Sequence, residues 1–465
     1  MSLSQLICLL LRRRELHSRE KRSREDLAAF QQAALARLRR YACENSPFYR
    51  NFHEGLRDAP LDQLPVLTKA ILMENWDDVV TDRTLRLGEV QEFVRDLREV
   101  RMFHDKYYVV STAGSTGLKG LFVYDRDEWC MILASYARAY DWAGIGVTKR
   151  LRLAVVSTTT PWHQSAVVGA TLKSWLVPTL RVDSTEPMGK IVEALNAFQP
   201  ESLVAYAGIA GLLAREQASG RLKISPQAVF CSSEVLTNET RRLIEHTWGL
   251  RPFNVYAATE TAGIASECTD HQGLQLYEDL VIVEVVDREN KPASIGEYGA
   301  KMLVTVLFSR TIPLIRYEMS DSVRLSLRKT GCGRPFAFLD DMQGRMEDTI
   351  SLKAGTGGSV EIPPNVFHDV MDRAQVDGWH VLQMGEDRLK ISVLRPSRDF
   401  RKPKLEEVIA AELERRGADR PVIEVEIVSA LPRRALGKTP LITALKKEIR
   451  REMSSIREES ARGGI

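Results

Sequence analysis

The sequence has no long hydrophobic run and no closely paired cysteines. Its six cysteines are scattered along 465 residues and none belongs to a Cys-x-x-Cys pair, so we expect reduced thiols rather than a disulfide framework. The apolar run at residues 6–11 is far too short to span a bilayer. This run also precedes its arginines, whereas a signal peptide begins with positive charge. These absences predict a cytoplasmic protein with no membrane partner.

The chain also lacks an excess of charge of either sign. Lysine and arginine total 65 against 62 acidic residues, which gives a net charge of +3, so no nucleic-acid partner is expected. One charged stretch, residues 12–25, interleaves arginine with glutamate, and we interpret it as a solvated helix face. The alternative is a patch for nucleic acid or anionic lipid, which the lack of interleaved aromatic residues weakens.

The composition is that of an ordinary globular protein, with 44% apolar and 27% charged residues, and the length favours two or three domains. Strand-like apolar runs alternate with helical segments through the first half of the chain. This alternation predicts an α/β fold with largely parallel sheets. The predicted helices lie at residues 25–45, from 69 onwards, and at 127–140, 187–198 and 238–248, and the predicted strands at 151–156, 202–206 and 228–231.

Beyond residue 274 the pattern changes. Strand-like runs at 280–286 and 301–308 flank a turn, and we predict them to be antiparallel. After residue 348 a smaller unit begins, with a strand at 389–394, a helix at 404–416 and a strand at 422–428. A strand–helix–strand unit of this size predicts a compact α+β lid.

A glycine-rich loop, Ser111–Gly120, lies between two strand-like runs at 107–110 and 121–124. Glycine lets the backbone approach a ligand closely, and successive N–H groups then form a nest for anionic oxygens. The loop also supplies serine and threonine hydroxyls and Lys119. It matches neither the Walker A pattern nor G-x-G-x-x-G. We predict a polyphosphate-binding loop, with an ordinary loop or linker as the alternative.

Four further motifs follow in order: Tyr256–Glu260, Ile315–Asp321, Gly344–Asp348 and Leu431–Lys438. Each is commonplace alone, but their order and spacing after the glycine-rich loop are not. Together they resemble the adenylate-forming superfamily, which includes acyl-CoA synthetases, luciferases and peptide-synthetase adenylation domains. The phenylacetate–CoA ligase branch is the closest likeness, because it is also similar at residues 45–50, 259–268, 273–279 and 313–317.

The resemblance implies a large N-terminal adenylation domain, residues 1–347, with layered α/β sheets and a small antiparallel β subdomain. A small mobile C-terminal α+β lid, residues 348–465, would rotate about Asp348 after adenylation. The implied reaction joins a carboxylic acid, expected to be aromatic, to ATP as an acyl-adenylate, releases pyrophosphate and transfers the acyl group to coenzyme A. Alternative acceptors are an amine, a hydroxyl or a carrier-protein thiol. A third reading, from another class, is a binding or scaffold protein with a disabled site.

The resemblance also implies roles for individual residues. Thr259 would reach the α-phosphate, Glu260 would ligate Mg²⁺, and Lys438 would bridge the acid and the α-phosphate. Tyr256 would lie against adenine and Asp321 would accept from the ribose hydroxyls. The remaining implied nucleotide contacts are Ser111, Thr112, Ser115, Thr116, Gly117, Lys119, Ser233, Glu234, Ala257 and Arg345.

Each of these residues also has an ordinary structural role open to it: Asp321 as a turn cap, Glu260 as a surface acid, Lys438 as a solvated loop lysine and Tyr256 as core. By analogy, the acyl pocket would contain Trp162, His163, Tyr206, Ala207 and Gly208. A loop histidine such as His163 is also commonly just hydrogen-bonded. The acid itself cannot be read from these residues, and either a monomer or a homodimer is compatible with them.

The chain departs from the family pattern in several places. Leu118 replaces a proline, Ala257 replaces a glycine, and residues 353–359 replace a shorter turn after the hinge, which leaves the acceptor open. Some relatives carry a structural zinc site, for which Cys268, His271 and Cys332 are available here. Three ligands are too few for a closed structural site. We therefore do not expect structural zinc.

Overall fold

The computed structural model describes residues 3–112, 119–146, 150–326, 328, 331–345, 348–362, 365–371, 374, 376–432 and 441–445. For residues 341, 343–345, 365, 368, 369 and 377 it describes the backbone. The chain divides into two compact units, Met1–Met342 and Gln343–Ile465. The domain boundary that the resemblance implies, between residues 347 and 348, stays a prediction. No helix in the described ranges is both long enough and apolar enough to cross a membrane.

The helices of the first unit agree with the predicted segments. The predicted helix at 25–45 is α2, where the Ser23 side chain accepts a hydrogen bond from the Asp26 N–H and so caps the first turn. Thr68 caps α4 in the same way, through the Ile71 N–H. The helices are α1 (Leu3–Arg19), α2 (Arg24–Asn45), α3 (Pro47–Phe52), α4 (Lys69–Glu74), α5 (Trp76–Val79), α6 (Leu87–Asp96), α7 (Arg126–Trp142), α8 (Gln164–Leu172), α9 (Met188–Phe198), α10 (Ala207–Ala218) and α11 (Asn238–Trp248).

The strands of this unit build the predicted parallel sheet and extend it. A nine-stranded sheet has the order β13-β14-β9-β8-β7-β6-β5-β3-β4. Its strands β4, β3, β5, β6 and β7 are parallel neighbours, whereas β8 and β9 join antiparallel. The strands are β3 (Leu153–Ser157), β4 (Thr179–Asp183), β5 (Ser202–Tyr206), β6 (Ala228–Ser232), β7 (Phe253–Ala258), β8 (Ala262–Ser266), β9 (Leu274–Leu276), β13 (Asp321–Leu325) and β14 (Phe338–Arg345).

Two smaller antiparallel sheets complete the first unit. The glycine-rich loop is flanked by the hairpin of β1 (Tyr108–Ser111) and β2 (Leu121–Tyr124). A three-stranded sheet contains β10 (Val281–Val286), β11 (Lys301–Val306) and β12 (Tyr317–Met319), which confirms the predicted antiparallel pair. The carboxyl ends of the parallel strands lie at one edge of the large sheet, which is where sheets of this kind bind ligands.

The charged stretch 12–25 is only partly the solvated face that we predicted. Arg12 pairs with Glu15 at 2.9 Å on the surface, as expected. Glu20, however, lies 3.2 Å from the Nε of Arg138, a fully buried guanidinium that also binds Asp279 through two hydrogen bonds. A charge taken out of water needs such partners. The stretch therefore also links the N-terminal helices to helix α7.

The second unit has the predicted strand–helix–strand order. Strand β18 (Arg388–Pro396), helix α13 (Lys402–Arg415) and strand β19 (Val422–Val428) form a parallel crossover. They belong to a four-stranded sheet of order β19-β18-β17-β20. The remaining elements are β15 (Ile350–Lys353), β16 (Ser359–Ile362), α12 (Asn365–Met371), β17 (Val376–Gln383) and β20 (Ile442–Thr443). The rotation of this unit about Asp348 stays a prediction.

Candidate active site

The two ends of the glycine-rich loop are joined by hydrogen bonds. The Thr112 N–H donates to the Gly120 carbonyl at 2.9 Å, and the Gly120 N–H donates to Thr112 Oγ1 at 2.8 Å. A side chain at Gly120 would place its Cβ 2.8 Å from the buried Phe122 ring, so glycine is required there. Ser111 is buried and Lys119 is exposed. Of the other predicted phosphate contacts, Ser115, Thr116 and Gly117 lie outside the described residues.

Tyr124 holds the turn that carries Thr259 and Glu260 in place through hydrogen bonds to its backbone. This turn connects β7 to β8, and the Tyr124 hydroxyl lies 2.9 Å from the carbonyl oxygens of both residues. Tyr317 donates to Glu260 Oε1 at 3.4 Å. Burial raises the pKa of Tyr124 and Tyr317 well above its usual value, and for both the nearby Glu260 charge acts in the same direction. Both hydroxyls therefore keep their protons and remain donors.

Lys69 is a site residue that sequence reasoning missed. Its Nζ lies 3.5 Å from Glu260 Oε1, and the Glu260 side chain is only 10% exposed. Backbone pairing explains the placement, because the Leu67 N–H donates to the Arg316 carbonyl and the Glu318 N–H donates to the Leu67 carbonyl. The sequence predicted the helix that begins at Lys69, but no local signal links this residue to an acid far along the chain.

Tyr256 and Asp321 are in direct contact. The Tyr256 hydroxyl donates to Asp321 Oδ2 at 2.9 Å and lies 3.2 Å from the Met302 sulfur. Asp321 is the first residue of β13, immediately after the chain leaves the three-stranded sheet for the nine-stranded one. The two predicted adenosine contacts therefore form one unit. Ala257, next to Tyr256, is half-buried.

The predicted acyl residues lie next to the nucleotide motifs. The Ser111 N–H donates to the Trp162 carbonyl at 2.8 Å, which attaches the loop of Trp162 and His163 to the base of the glycine-rich loop. The Gly208 N–H donates to Glu234 Oε2 at 2.8 Å. Glu234 was predicted as a nucleotide contact, so this bond connects the two predicted sets.

Ser233 and Ala262 occupy the left-handed region of backbone space. Their φ angles are +65° and +60°, a conformation that costs energy for residues other than glycine. Ser233 follows β6 at the ligand-binding edge of the sheet, and Ala262 begins β8 directly after the Thr259–Glu260 turn. Backbone strain of this kind clusters at ligand-binding sites.

The remaining predictions concern the second unit and the residues near its start. Lys438, the predicted catalytic lysine, lies outside the described residues, and so does the side chain of Arg345, whose backbone belongs to β14. Asp348 is half-buried. Residues 353–359 form the tight turn between β15 and β16, where Gly357 and Gly358 adopt φ angles of +89° and +80°.

The cysteine cluster differs from the set that the sequence offered. Cys268, Asp270 and Cys332 present ligand atoms within 4.8 Å of one another. His271 instead lies 3.4 Å from Glu267 through its Nδ1. The Gln275 amide donates to the Cys268 sulfur at 3.1 Å and to the Cys332 sulfur at 2.8 Å. Both thiols therefore accept a hydrogen bond from the neutral Gln275 amide.

No protein-family model matches the chain. It is nevertheless similar to curated phenylacetate–coenzyme A ligases. The one from Thermus thermophilus is 24% identical over 392 residues, which are 80% of this chain and 83% of that protein. The one from Escherichia coli is 24% identical over 353 residues, which are 72% of this chain and 74% of that protein. These similarities confirm the resemblance of the chain to the adenylate-forming superfamily and, within it, to the phenylacetate–CoA ligase-like branch, and they support an AMP-forming ligase.

The fold agrees with this family. A solved 2-hydroxyisobutyryl-CoA ligase in its postadenylation state superposes with a TM-score of 0.72 at 18% identity, covering 95% of this chain and 94% of that one. A likeness at this identity concerns the fold. The α/β architecture that the sequence predicted is therefore confirmed.

Proposed function

We propose that this ligase activates a carboxylic acid with Mg²⁺ and ATP, releases pyrophosphate and transfers the acyl group to coenzyme A. The acid oxygen would attack the α-phosphorus and form the acyl-adenylate. The coenzyme A sulfur would then attack the acyl carbon, so that a C–S bond forms and AMP leaves. An aromatic acid is the finer expectation, carried by the similarity to phenylacetate–CoA ligases.

The observation that carries the proposal is the hydrogen bond between Tyr256 and Asp321. It brings together two residues that the family motifs assign to adenosine, although the two lie far apart in sequence. The Asp321 carboxylate has two oxygens with several lone pairs, so it can accept from Tyr256 and from ribose hydroxyls. The bond supports a preformed adenosine site on the first unit.

The residues near Glu260 fit a magnesium ion. Mg²⁺ is usually held by one or two carboxylates together with substrate phosphates, and Glu260 offers one buried carboxylate that a cation, Lys69, already approaches to 3.5 Å. When bound, the ion would neutralise charge on the phosphate oxygens. Glu260 would hold it, and Tyr124 and Tyr317 would fix the position of Glu260 through their hydroxyls.

A second candidate function keeps the adenylation step but uses another acceptor. The turn at residues 353–359 departs from the family pattern. In the superfamily this region faces the thiol in the second conformation. A hydroxyl, an amine or a carrier-protein thiol would then replace coenzyme A as the acceptor.

The test is pyrophosphate release from Mg²⁺–ATP with a panel of aromatic and aliphatic acids, with and without coenzyme A. We expect release that multiplies when coenzyme A is present, with acyl-CoA as product. Slow release that coenzyme A leaves unchanged, with trappable acyl-adenylate, would favour the second candidate. Silence with every acid, together with failure to bind ATP, would overturn the adenylation proposal.

The same assay tests the predicted catalytic lysine. We expect Lys438→Ala to lower the adenylation rate by at least about 100-fold, because it removes a positive charge from the place where charge develops. ATP binding, measured by calorimetry, should stay within a few-fold of the parent protein. Lys404→Ala, on helix α13 of the same unit, is the control and should leave the rate unchanged. A parental adenylation rate in the Lys438 variant would contradict the assignment.

A further inference from the structure

Small hydroxyl groups cluster at the carboxyl ends of β3 and β5. The Thr158 N–H donates to the hydroxyl oxygen of Tyr206, the last residue of β5, at 3.1 Å. Ser165 Oγ lies 3.0 Å from His163 Nδ1 and 3.4 Å from Ser157 Oγ. Tyr206 also hydrogen-bonds Ser165. We call Ser157, Thr158, His163, Ser165 and Tyr206 the hydroxyl cluster.

The hydroxyl cluster lies beside the nucleotide motifs. Trp162, next to His163, accepts a hydrogen bond from the backbone of Ser111 at 2.8 Å. On the other side of His163, the Gln164 side chain donates to the Thr259 carbonyl at 3.4 Å. The segment that carries the cluster is therefore attached both to the glycine-rich loop and to the turn that carries Glu260. Two of its residues, His163 and Tyr206, are among those that the resemblance assigns to the acyl pocket.

One member of the cluster, Ser165, is partly exposed, whereas Ser157, Thr158, His163 and Tyr206 are buried. A serine hydroxyl rotates and can either donate or accept. The buried partners hold the Ser165 oxygen in place, and a ligand hydroxyl would replace one of their bonds to it. A partly exposed hydroxyl with polar support behind it suits a polar substituent better than a plain hydrocarbon.

A carboxylate near the hydroxyl cluster limits the charge of that substituent, because Glu234 binds Gly208, two residues after Tyr206. Glu234 Oε2 accepts from the Gly208 N–H, and a Cβ added at Gly208 would come within 3.1 Å of the same oxygen. A second carboxylate on the substrate would be repelled there. The substrate need not supply an ammonium group to pair with Glu234, because this carboxylate already lies at the positive end of α10 (Ala207–Ala218). A neutral hydroxyl is therefore the polar substituent that this position favours.

From these contacts we infer that the acid activated by this enzyme carries a hydroxyl group, which Ser165 binds with the support of His163 and Tyr206. This inference rests on the proposed function and names its substrate class. A site that hydrogen-bonds a substrate hydroxyl discriminates against the analogue that lacks it. Because the cluster's groups also bond one another, we expect a preference of about 10- to 100-fold rather than the larger values that fully unpaired groups give.

The experiment measures kcat/KM for pyrophosphate release with matched pairs of acids. The pairs are propanoate with lactate, phenylacetate with mandelate, and phenylacetate with 4-hydroxyphenylacetate, so that the hydroxyl position varies. At least one hydroxy acid should be preferred about 10-fold or more over its partner. Ser165→Ala should reduce that preference at least about 5-fold.

Ser174→Ala is the matched control, because its hydroxyl accepts from the nearby Val177 N–H just beyond α8. It should keep the full preference. Equal or better use of the deoxy acid in every pair would overturn the inference while leaving the proposed function intact. An undiminished preference in folded Ser165→Ala would overturn the role of Ser165. Absence of activity with every acid, together with failure to bind ATP, would overturn the proposed function and this inference with it.

Discussion

On the nucleotide side of the candidate site, three buried tyrosines from three different strands direct their hydroxyls at the residues predicted to bind ATP and Mg²⁺. Tyr124 supports the turn of Thr259 and Glu260, Tyr317 reaches the Glu260 carboxylate, and Tyr256 reaches Asp321. On the acyl side, by contrast, the short Ser157 and Ser165 side chains bond one another, and the Thr158 N–H donates to Tyr206.

The two sides differ in how far their hydroxyl groups can adapt to a neighbouring group. A buried tyrosine ring has few rotamers, so its hydroxyl has a fixed position. A serine or threonine hydroxyl can turn its proton to suit the neighbour that it meets. Adenosine and Mg²⁺ are the same for every member of such a family, so hydroxyl groups in fixed positions can bind them. The acyl group is the part of the substrate that varies within such a family. The comparison predicts that variants on the nucleotide side affect every acid equally.

The largest expected effect on the nucleotide side is that of Glu260→Gln. The amide keeps the shape but loses the charge that would hold Mg²⁺, so we expect adenylation to fall about 100- to 1,000-fold with every acid. Pyrophosphate release at saturating ATP measures it. Glu318→Gln, which alters an acid paired with Lys301 at 2.6 Å, should retain the parental rate. An adenylation rate of the Glu260 variant within about 3-fold of the parental rate would show that Glu260 does not belong to the active site.

Lys69→Met should have an intermediate effect, of about 3- to 10-fold, on the magnesium requirement. Lys69 and a divalent cation compensate the same carboxylate, because Lys69 Nζ lies 3.5 Å from Glu260. Removing the lysine charge should therefore lower the Mg²⁺ concentration that gives half-maximal pyrophosphate release. Lys190→Met, which removes an exposed lysine 3.4 Å from Glu186, should leave the half-maximal Mg²⁺ concentration unchanged. A raised requirement would instead indicate that Lys69 binds the phosphates.

Much of the fold could be predicted from the sequence because periodicity and capping are local signals. The helix at 238–248 and the strand at 202–206 have the predicted bounds. The strand predicted at 151–156 begins later, at Leu153, because the Leu151 N–H bonds the Leu176 carbonyl outside the sheet. The sequence pattern alone did not distinguish Leu151 and Arg152 from the strand that follows them.

The site could be predicted only where the chain resembles a family motif. Asp321 and Glu260 were assigned by that resemblance, whereas Lys69 and Ser165 were not assigned at all. Their contacts depend on which strands become neighbours, and no local pattern specifies that order. The Thr68 cap was predictable because it involves residues three apart, but the proximity of Lys69 to Glu260 follows from the pairing of Leu67 with β12.

The smallest expected effect, and the sharpest test of the comparison, is that of Tyr256→Phe. This change removes the hydroxyl that donates to Asp321 Oδ2 at 2.9 Å but keeps the ring. A hydrogen bond to a charged group contributes about 1.5–3 kcal/mol, and ribose hydroxyls can replace part of it. We expect the KM for ATP to rise about 2- to 3-fold, equally for every acid, with kcat changed less.

Tyr277→Phe is its matched control. Tyr277 is fully buried, and its hydroxyl donates to Ser266 Oγ at 2.8 Å rather than to a predicted ligand contact. Both variants lose one buried hydroxyl, so both should unfold at a lower temperature, but only Tyr256→Phe should change the KM for ATP. Equal KM values in the two variants would mean that Asp321 does not depend on Tyr256. A change confined to particular acids would place Tyr256 on the acyl side, and the distinction between fixed and adjustable hydroxyls would then fail at this residue.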